Sequence, residues 1–296
     1  MRPWGSWEIK VIHAGDKLFP KRLRKINQAP EKLYYRGNWD QKIFKKSIAV
    51  VGSRSMTKYG EMAVAKLIPG LVRAGYTIVS GFMYGVDTAA HKTCLAAGGK
   101  TVAVLGGGLN QLTPVQNDKL YSEVSDQSGL VISEYEPEEK AQLWTFPHRN
   151  RIVAGLSQAV LVIEAGEGSG SLITAKLGFD QKKPVLAVPG PITTSLSAGT
   201  NWLIRNGAVL VTSANEILEE LGEEVTVKAK QLPLNLTEIE RAIMDQLSKE
   251  SLSADELVRM IKLDVVRVGQ ALSDLALKGL IEEAGDKYIL GFKNAD

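Results

Sequence analysis

The chain has 296 residues and 44% hydrophobic content, enough for two domains and a sizeable core. It holds no run near the roughly 18 apolar residues of a membrane span, and Met1-Arg2-Pro3-Trp4 lacks a secretory apolar region, so a cytoplasmic protein is expected. A single cysteine, Cys94, excludes an intrachain disulfide, and three histidines, none paired at metal-ligand spacing, argue against a metalloenzyme. The net charge of +3 hides an asymmetry: residues 1–60 carry fourteen Lys and Arg against four Asp and Glu, a basic face that would attract a polyanion, leaving the remainder net acidic.

Residues 1–42 read as a short separate segment, in which Leu18-Phe19-Pro20, Leu23, Ile26 and Leu33-Tyr34-Tyr35 could pack against the neighbouring domain. From residue 47 one theme repeats: a short β-branched run, a Gly- or Ser-rich turn, then a helical stretch. Strands are expected at Ser47–Gly52, Tyr76–Gly81, Lys100–Leu105, Leu130–Glu134, Ala159–Glu164 and Pro184–Val188. Helices are expected near Tyr59–Ala74, Gly85–Ala97, Pro114–Ser128, Arg149–Leu156, Ser171–Phe179 and Thr200–Asn206. Continuous apolar strands alternating with helices imply a doubly wound, mostly parallel, Rossmann-like α/β sheet over 43–222. The apolar-poor stretch 223–234 reads as a linker. Beyond it, over 235–296, Thr237-Glu238-Ile239-Glu240 and Ser253-Ala254-Asp255-Glu256 are capping boxes. A further helix at Val265–Lys278 and two short strands around Gly285-Asp286 complete a winged helix.

In a doubly wound sheet ligands bind beyond the carboxyl ends of the strands. The turns there are Gly52-Ser53-Arg54, Ser80-Gly81, Gly106-Gly107-Gly108 and Gly166-Glu167-Gly168-Ser169-Gly170-Ser171, with a fifth, Phe146-Pro147-His148-Arg149-Asn150-Arg151, adding two guanidiniums. Glycine lets backbone approach a ligand, N–H groups opening a helix attract phosphate oxygens, and arginine forks onto phosphate, so together the loops describe an anion site. Neither a correctly placed G-x-G-x-x-G nor G-x-x-x-x-G-K-[ST] is present, which argues against NAD and ATP; no cofactor is expected. Phe82, Tyr84, Trp144 and Phe146 offer stacking faces for exposed bases. Lone His91 on an alanine-rich helix reads as a packed residue and Asp87 as a complement to the helix dipole, so no catalytic residue is assigned.

These motifs, with Gly85-Val86-Asp87, Ala90-His91, Ser133-Glu134, Arg149-Asn150-Arg151-Ile152-Val153-Ala154-Gly155-Leu156-Ser157, Glu164-Ala165, Ser169-Gly170-Ser171-Leu172-Ile173-Thr174-Ala175, Val188-Pro189-Gly190 and Gly199-Thr200-Asn201, resemble the DNA-processing A (Smf) family over residues 18–222. The resemblance implies a homodimeric protein that binds single-stranded DNA, protects incoming DNA during natural transformation and helps load the RecA recombinase, without enzymatic activity. It implies a DNA pocket lined by Gly52, Ser53, Arg54, Phe146, Arg149, Asn150, Arg151, Ser169, Gly170 and Ser171. The chain departs from the family at Tyr84, usually basic, at Thr113-Pro114 before Lys119, and at Lys182-Lys183-Pro184 in place of Gly-Arg.

Two rival readings are set beside this one. A nucleotide-binding or nucleotide-hydrolysing relative of the cytokinin-activating phosphoribohydrolases shares the glycine-rich loop, but needs a placed acid, and Leu172-Ile173-Thr174-Ala175-Lys176 supplies none before Asp180. A duplex-DNA regulator would use the winged helix, yet the candidate recognition helix carries only Arg267 and Lys278 against Asp274.

Overall fold

The computed structural model describes residues 8–224 and 236–290. They fall into two compact units that divide at Val225–Thr226. The linker expected at 223–234 lies, from 225 onward, outside the described residues.

The first unit runs β1 (Lys10–His13), β2 (Lys32–Gly37), β3 (Ser47–Val51), α1 (Lys58–Arg73), β4 (Thr77–Ser80), α2 (Val86–Ala96), β5 (Thr101–Val104), α3 (Asp118–Glu123), β6 (Leu130–Ser133), α4 (Thr145–Leu156), β7 (Ala159–Val162), α5 (Gly170–Asp180), β8 (Val185–Ala187), α6 (Ala198–Arg205), β9 (Val209–Leu210) and α7 (Ala214–Glu220). The strands form one sheet in the order β1-β2-β6-β5-β4-β3-β7-β8-β9. Pairings from β6 through β9 are parallel; β1 with β2 and β2 with β6 are antiparallel.

Strands β3 to β8 are buried throughout because both sides of the sheet are covered there. Ile48 and Val50 of β3 join a core with α1, α2 and α7, whereas Ala49 and Val51 face the core built by α4, α5 and α6. The second core takes in Phe19, Leu23 and Ile26 from the N-terminal segment. Instead of standing apart, residues 10–37 therefore extend the sheet by β1 and β2. Gly155 of α4 permits this approach, since a Cβ there would come within 2.8 Å of Leu23 Cδ1. Apolar burial on this scale, at about 25 cal/mol per Å², outweighs the entropy of ordering a short segment that cannot fold alone.

Two local expectations change. The turn expected over 146–151 belongs to α4, which begins at Thr145 rather than Arg149. Buried Thr145 is pinned there: its hydroxyl accepts from the Gln142 N–H at 3.0 Å and donates to Gln142 O at 2.8 Å. Pro147 falls in the first helical turn, where its missing N–H removes no helix bond. The single helix expected over 114–128 is a 3₁₀ turn at Val115–Asn117, then α3, then a π turn at Val124–Ser128. Asn117, buried, interrupts it by donating to Phe82 O at 3.1 Å and Thr88 Oγ1 at 3.0 Å.

The second unit contains α8 (Glu238–Leu247), α9 (Ala254–Ile261), α10 (Val265–Leu277), β10 (Ile281–Ala284) and β11 (Lys287–Leu290) around its own core of Ile243, Leu257, Val268, Leu272 and Leu275. Both capping boxes form, with the hydroxyls of Thr237 and Ser253 accepting from Glu240 N and Glu256 N. A backbone bridge from Leu252 to Tyr288 adds a third short strand segment to the hairpin, giving the winged-helix arrangement.

Candidate functional site

Strand order locates the site. The chain moves outward from β3 through β4 and β5 to β6 on one side, and from β7 through β8 to β9 on the other. The crevice beyond the carboxyl ends of β3 and β7 is thus a topological switch point. The loops leaving these two strands are laced together. Ser53 N–H donates to Glu164 O at 2.8 Å, and the buried Glu164 carboxylate accepts from Thr57 N–H at 2.8 Å and Thr57 Oγ1 at 2.5 Å. Val86 N–H donates to Ser53 O at 3.2 Å. That approach needs Gly85, whose φ of +69° suits glycine and whose Cβ would collide with Ser53 O. Glu164, with Ala165 one of the motif residues that carry the family resemblance, takes its role only here: a lone carboxylate after a buried strand says nothing of its partners until the fold brings Thr57 to it.

Gly52, Ser53, Arg54, Phe146, Arg149, Asn150, Ser169, Gly170 and Ser171 line a single cleft of about 530 Å³ at this switch point. Arg54 is exposed, its guanidinium 5.5 Å from the centre of the Phe146 ring, and it has no carboxylate within ion-pair distance among the described residues. The opposite wall is the start of α5. Ser169 caps it, its Oγ accepting from Ser171 N–H at 3.4 Å and lying 2.8 Å from Ser171 Oγ, while Asn150 Nδ2 donates to Gly170 O at 3.3 Å. An open cation, a half-buried ring, two hydroxyls and a helix N-terminus therefore face one space, which suits an anion attached to a flat apolar group.

The other two arginines differ. Arg149 is buried; its guanidinium donates to Gly81 O and Val104 O, and its Nε donates to Asn150 Oδ1 at 3.0 Å. Burial holds its pKa down at about 10, partly countered by Asp87. Asp87 is buried as well and accepts from Met83 N–H at 3.1 Å; burial pushes its carboxyl up, against the pull of Arg149. A Cβ on Gly81 would sit 2.6 Å from the Arg149 guanidinium, so glycine there makes room for the arginine. Arg151 does not reach the cleft. It is buried, and its Nη2 donates to both carboxylate oxygens of Glu134, at 2.6 and 2.8 Å.

Other expected features separate further. Gly106 packs beneath Phe146, whose Cδ1 would lie 2.9 Å from an added Cβ, and Gly107 and Gly108 pack under residues 136–141, so this turn supports the cleft rather than lining it. Phe82 is fully buried against His91 and Tyr121, and is no stacking platform. Tyr84 is exposed and donates to Gln116 Oε1 at 2.5 Å. Lys119 pairs with Glu123 at 3.7 Å, and Lys183 donates to the α4 carbonyls of Ala154 and Gly155, at 2.5 and 3.0 Å. Neither lysine lines the cleft. His91 is buried with Nδ1 2.6 Å from Thr101 Oγ1, whose own proton goes to Ile78 O at 2.7 Å. Nδ1 therefore carries the hydrogen and Nε2 is bare and unpartnered, a neutral imidazole whose pKa burial lowers to about 3.

The family model described as DNA recombination-mediator protein A matches residues 10–222, and that of the DprA winged helix domain matches 227–287. The DNA processing protein DprA of Streptococcus pneumoniae is 45% identical over 205 residues, covering 69% of this chain and 72% of that protein. The X-ray structure of the DNA processing protein A from that species superposes with a TM-score of 0.68 at 42% identity, over 72% of this chain and 74% of the other. The DNA processing protein A of Helicobacter pylori, whose structure concerns its single-stranded-DNA binding mode, superposes with a TM-score of 0.65 at 29% identity, over 73% of this chain and 96% of the other. With the switch-point cleft and the capped winged helix in place, the chain belongs to the DNA recombination-mediator protein A family.

Proposed function

We propose that this protein binds single-stranded DNA in the switch-point cleft, through its phosphates and without sequence preference, as a binding protein rather than an enzyme. The observation that carries the reading is Arg54, exposed, without a carboxylate partner among the described residues, and set over Phe146 opposite the N-terminus of α5. Backbone N–H groups and a guanidinium hold phosphate oxygens whatever the base, and a ring beside them takes a base face. Supporting it is the relative from Helicobacter pylori, whose structure concerns single-stranded-DNA binding. Gly52, Ser53, Arg54, Phe146, Asn150, Ser169, Gly170 and Ser171 form the contact surface, with Arg149 shaping it from below and Arg151 holding the back of α4. In the cytoplasm such a protein shields incoming DNA during transformation and passes it to the RecA recombinase. It works as a homodimer, which the exposed apolar side chains of Phe179, Trp202 and Leu210 on α5, α6 and β9 support.

Fluorescence anisotropy with labelled oligo-dT and the matching duplex, at two salt concentrations, tests this. The wild type binds the single strand more tightly, and Arg54→Ala weakens it by about tenfold or more while reducing the salt slope by about 0.7, one phosphate contact on a single strand. Equal binding of strand and duplex, or indifference to Arg54, would reject the reading and favour a mononucleotide ligand.

A further inference from the structure

We propose that Trp144, braced by Tyr135 and His148, is a base-stacking step at the margin of the cleft, taking one unpaired nucleobase of a strand whose phosphates the cleft holds. The proposal rests on the single-strand reading above.

Trp144 is 56% exposed and its neighbour Leu143 91% exposed, a costly display for two large apolar side chains in series. Their surroundings are built rather than loose. Trp144 Nε1 donates to Gln142 Oε1 at 3.1 Å. The indole meets Tyr135 edge-on at 6.2 Å between centroids and His148 tilted at 6.0 Å. Tyr135 is itself buried, its hydroxyl 3.1 Å from His148 Nδ1, and the Arg151–Glu134 ion pair closes the group from behind, Glu134 lying 3.6 Å from His148 Nδ1. The buried arginine that does not reach the cleft thus supports the ring beside it.

Position makes this ring part of the track. Leu143, Phe146 and Pro147, which flank Trp144 on either side, all line the cleft. Trp144 itself does not line the cleft, but its Cα is about 3.8 Å from that of Leu143, which puts the residue at the margin a strand leaving over Leu143 crosses. The charged groups that act on Tyr135 are balanced, Glu134 and Glu139 against Arg151 and Arg149, with Arg151 paired to Glu134 and Arg149 buried on backbone carbonyls, so no open cation is among them. Such a place favours the flat face of a base over a phosphate. Phe146 cannot do the same work alone, because it is only half-exposed and shares its ring with Arg54. An indole held rigid before binding loses little entropy on stacking, and any base can use it.

The full chain is titrated with labelled oligo-dT and with an abasic strand of equal length, at two salt concentrations. Trp144→Ala weakens oligo-dT by about tenfold, the scale of one base–aromatic stack, with an unchanged salt slope and unchanged binding of the abasic strand. Trp144→Phe restores most of the loss. Trp144→Leu, which keeps apolar bulk, behaves as Ala does and covers the case in which the Ala variant fails to fold. If Trp144→Ala and Trp144→Leu bind oligo-dT as the wild type does while Arg54→Ala is weakened, the stacking step is wrong and the cleft reading stands. Equal weakening on both strands reduces Trp144 to a structural role and also overturns the step. Absence of single-strand binding by the wild type removes both proposals.

Discussion

The switch-point cleft and the exposed side of α10 are both surfaces that a nucleic acid could meet, and they are built from opposite materials. In the cleft, an exposed arginine lies on an aromatic ring opposite a serine-capped helix N-terminus. On α10 the outward residues include Val265 and Val266, 63% and 72% exposed, with Arg267 beside the acidic N-cap Asp264. The hairpin after this helix carries Glu282, Glu283 and Asp286. A major-groove helix needs several basic and amide side chains at its start, and α10 offers one of each, Arg267 and Gln270, beside its exposed valines. The winged-helix shape alone therefore says little about DNA; the side chains on its presented face decide, and here they are sparsely charged.

The same contrast runs around the cleft, between Arg54, which is open, and Arg149 and Arg151, buried in its wall and behind it. Arg149→Ala removes a guanidinium that satisfies Gly81 O and Val104 O and leaves Asp87 buried without its cation. Breaking such a group costs about 3–5 kcal/mol, so a large fall in the urea midpoint of the α/β unit is expected. Arg54→Ala, at an exposed position, shifts stability by no more than about 0.5 kcal/mol while it weakens DNA binding. Equal stability of the two variants would contradict the assignment of Arg149 to structure and Arg54 to contact.

A second, smaller effect comes from His91. Its folded-state pKa, lowered to about 3, lies below the ordinary histidine value of about 6.5, so between these pH values the unfolded chain binds a proton that the folded chain refuses. The resulting stability is fully present above about pH 6.5 and is lost as pH falls, at about 1.4 kcal/mol per pH unit, or about 2 kcal/mol between pH 7 and pH 5. Urea titrations at the two pH values measure it, and His91→Gln flattens the difference. A wild-type midpoint that does not fall by pH 5 would show that the imidazole is not held neutral.

Much of the fold is legible in the amino-acid sequence. The strand runs from Ile48 to Val188 are apolar on both faces, the capping boxes at Thr237 and Ser253 are local chemistry, and the glycine-rich turns mark where backbone approaches backbone. What sequence spacing could not separate was three arginines of one kind. Arg149 and Arg151 are two positions apart on α4, and both are buried because the carbonyls of Gly81 and Val104 and the carboxylate of Glu134, all brought in from other parts of the sheet, hold them. The N-terminal strands escaped for a related reason. Lys10–His13 is an edge strand and Lys32–Gly37 its inner neighbour, both of mixed polarity, and only the pairing of β1 on β2 and of β2 on β6 defines them.

The winged helix supplies the smallest expected effect on binding. Thr237→Ala and Ser253→Ala each remove half of a capping box and cost about 1 kcal/mol, felt only by the unit that holds α8 and α9. Because that unit has a separate core, its loss leaves the cleft intact. A chain ending at residue 224 is therefore expected to bind oligo-dT within about threefold of the full chain, with the same salt slope, since none of the phosphate contacts proposed for the cleft is removed. A slope reduced by several contacts in the truncated chain would mean that the second unit carries phosphates after all, and the sparse charge of α10 would then need a different interpretation from the one its exposed valines suggest.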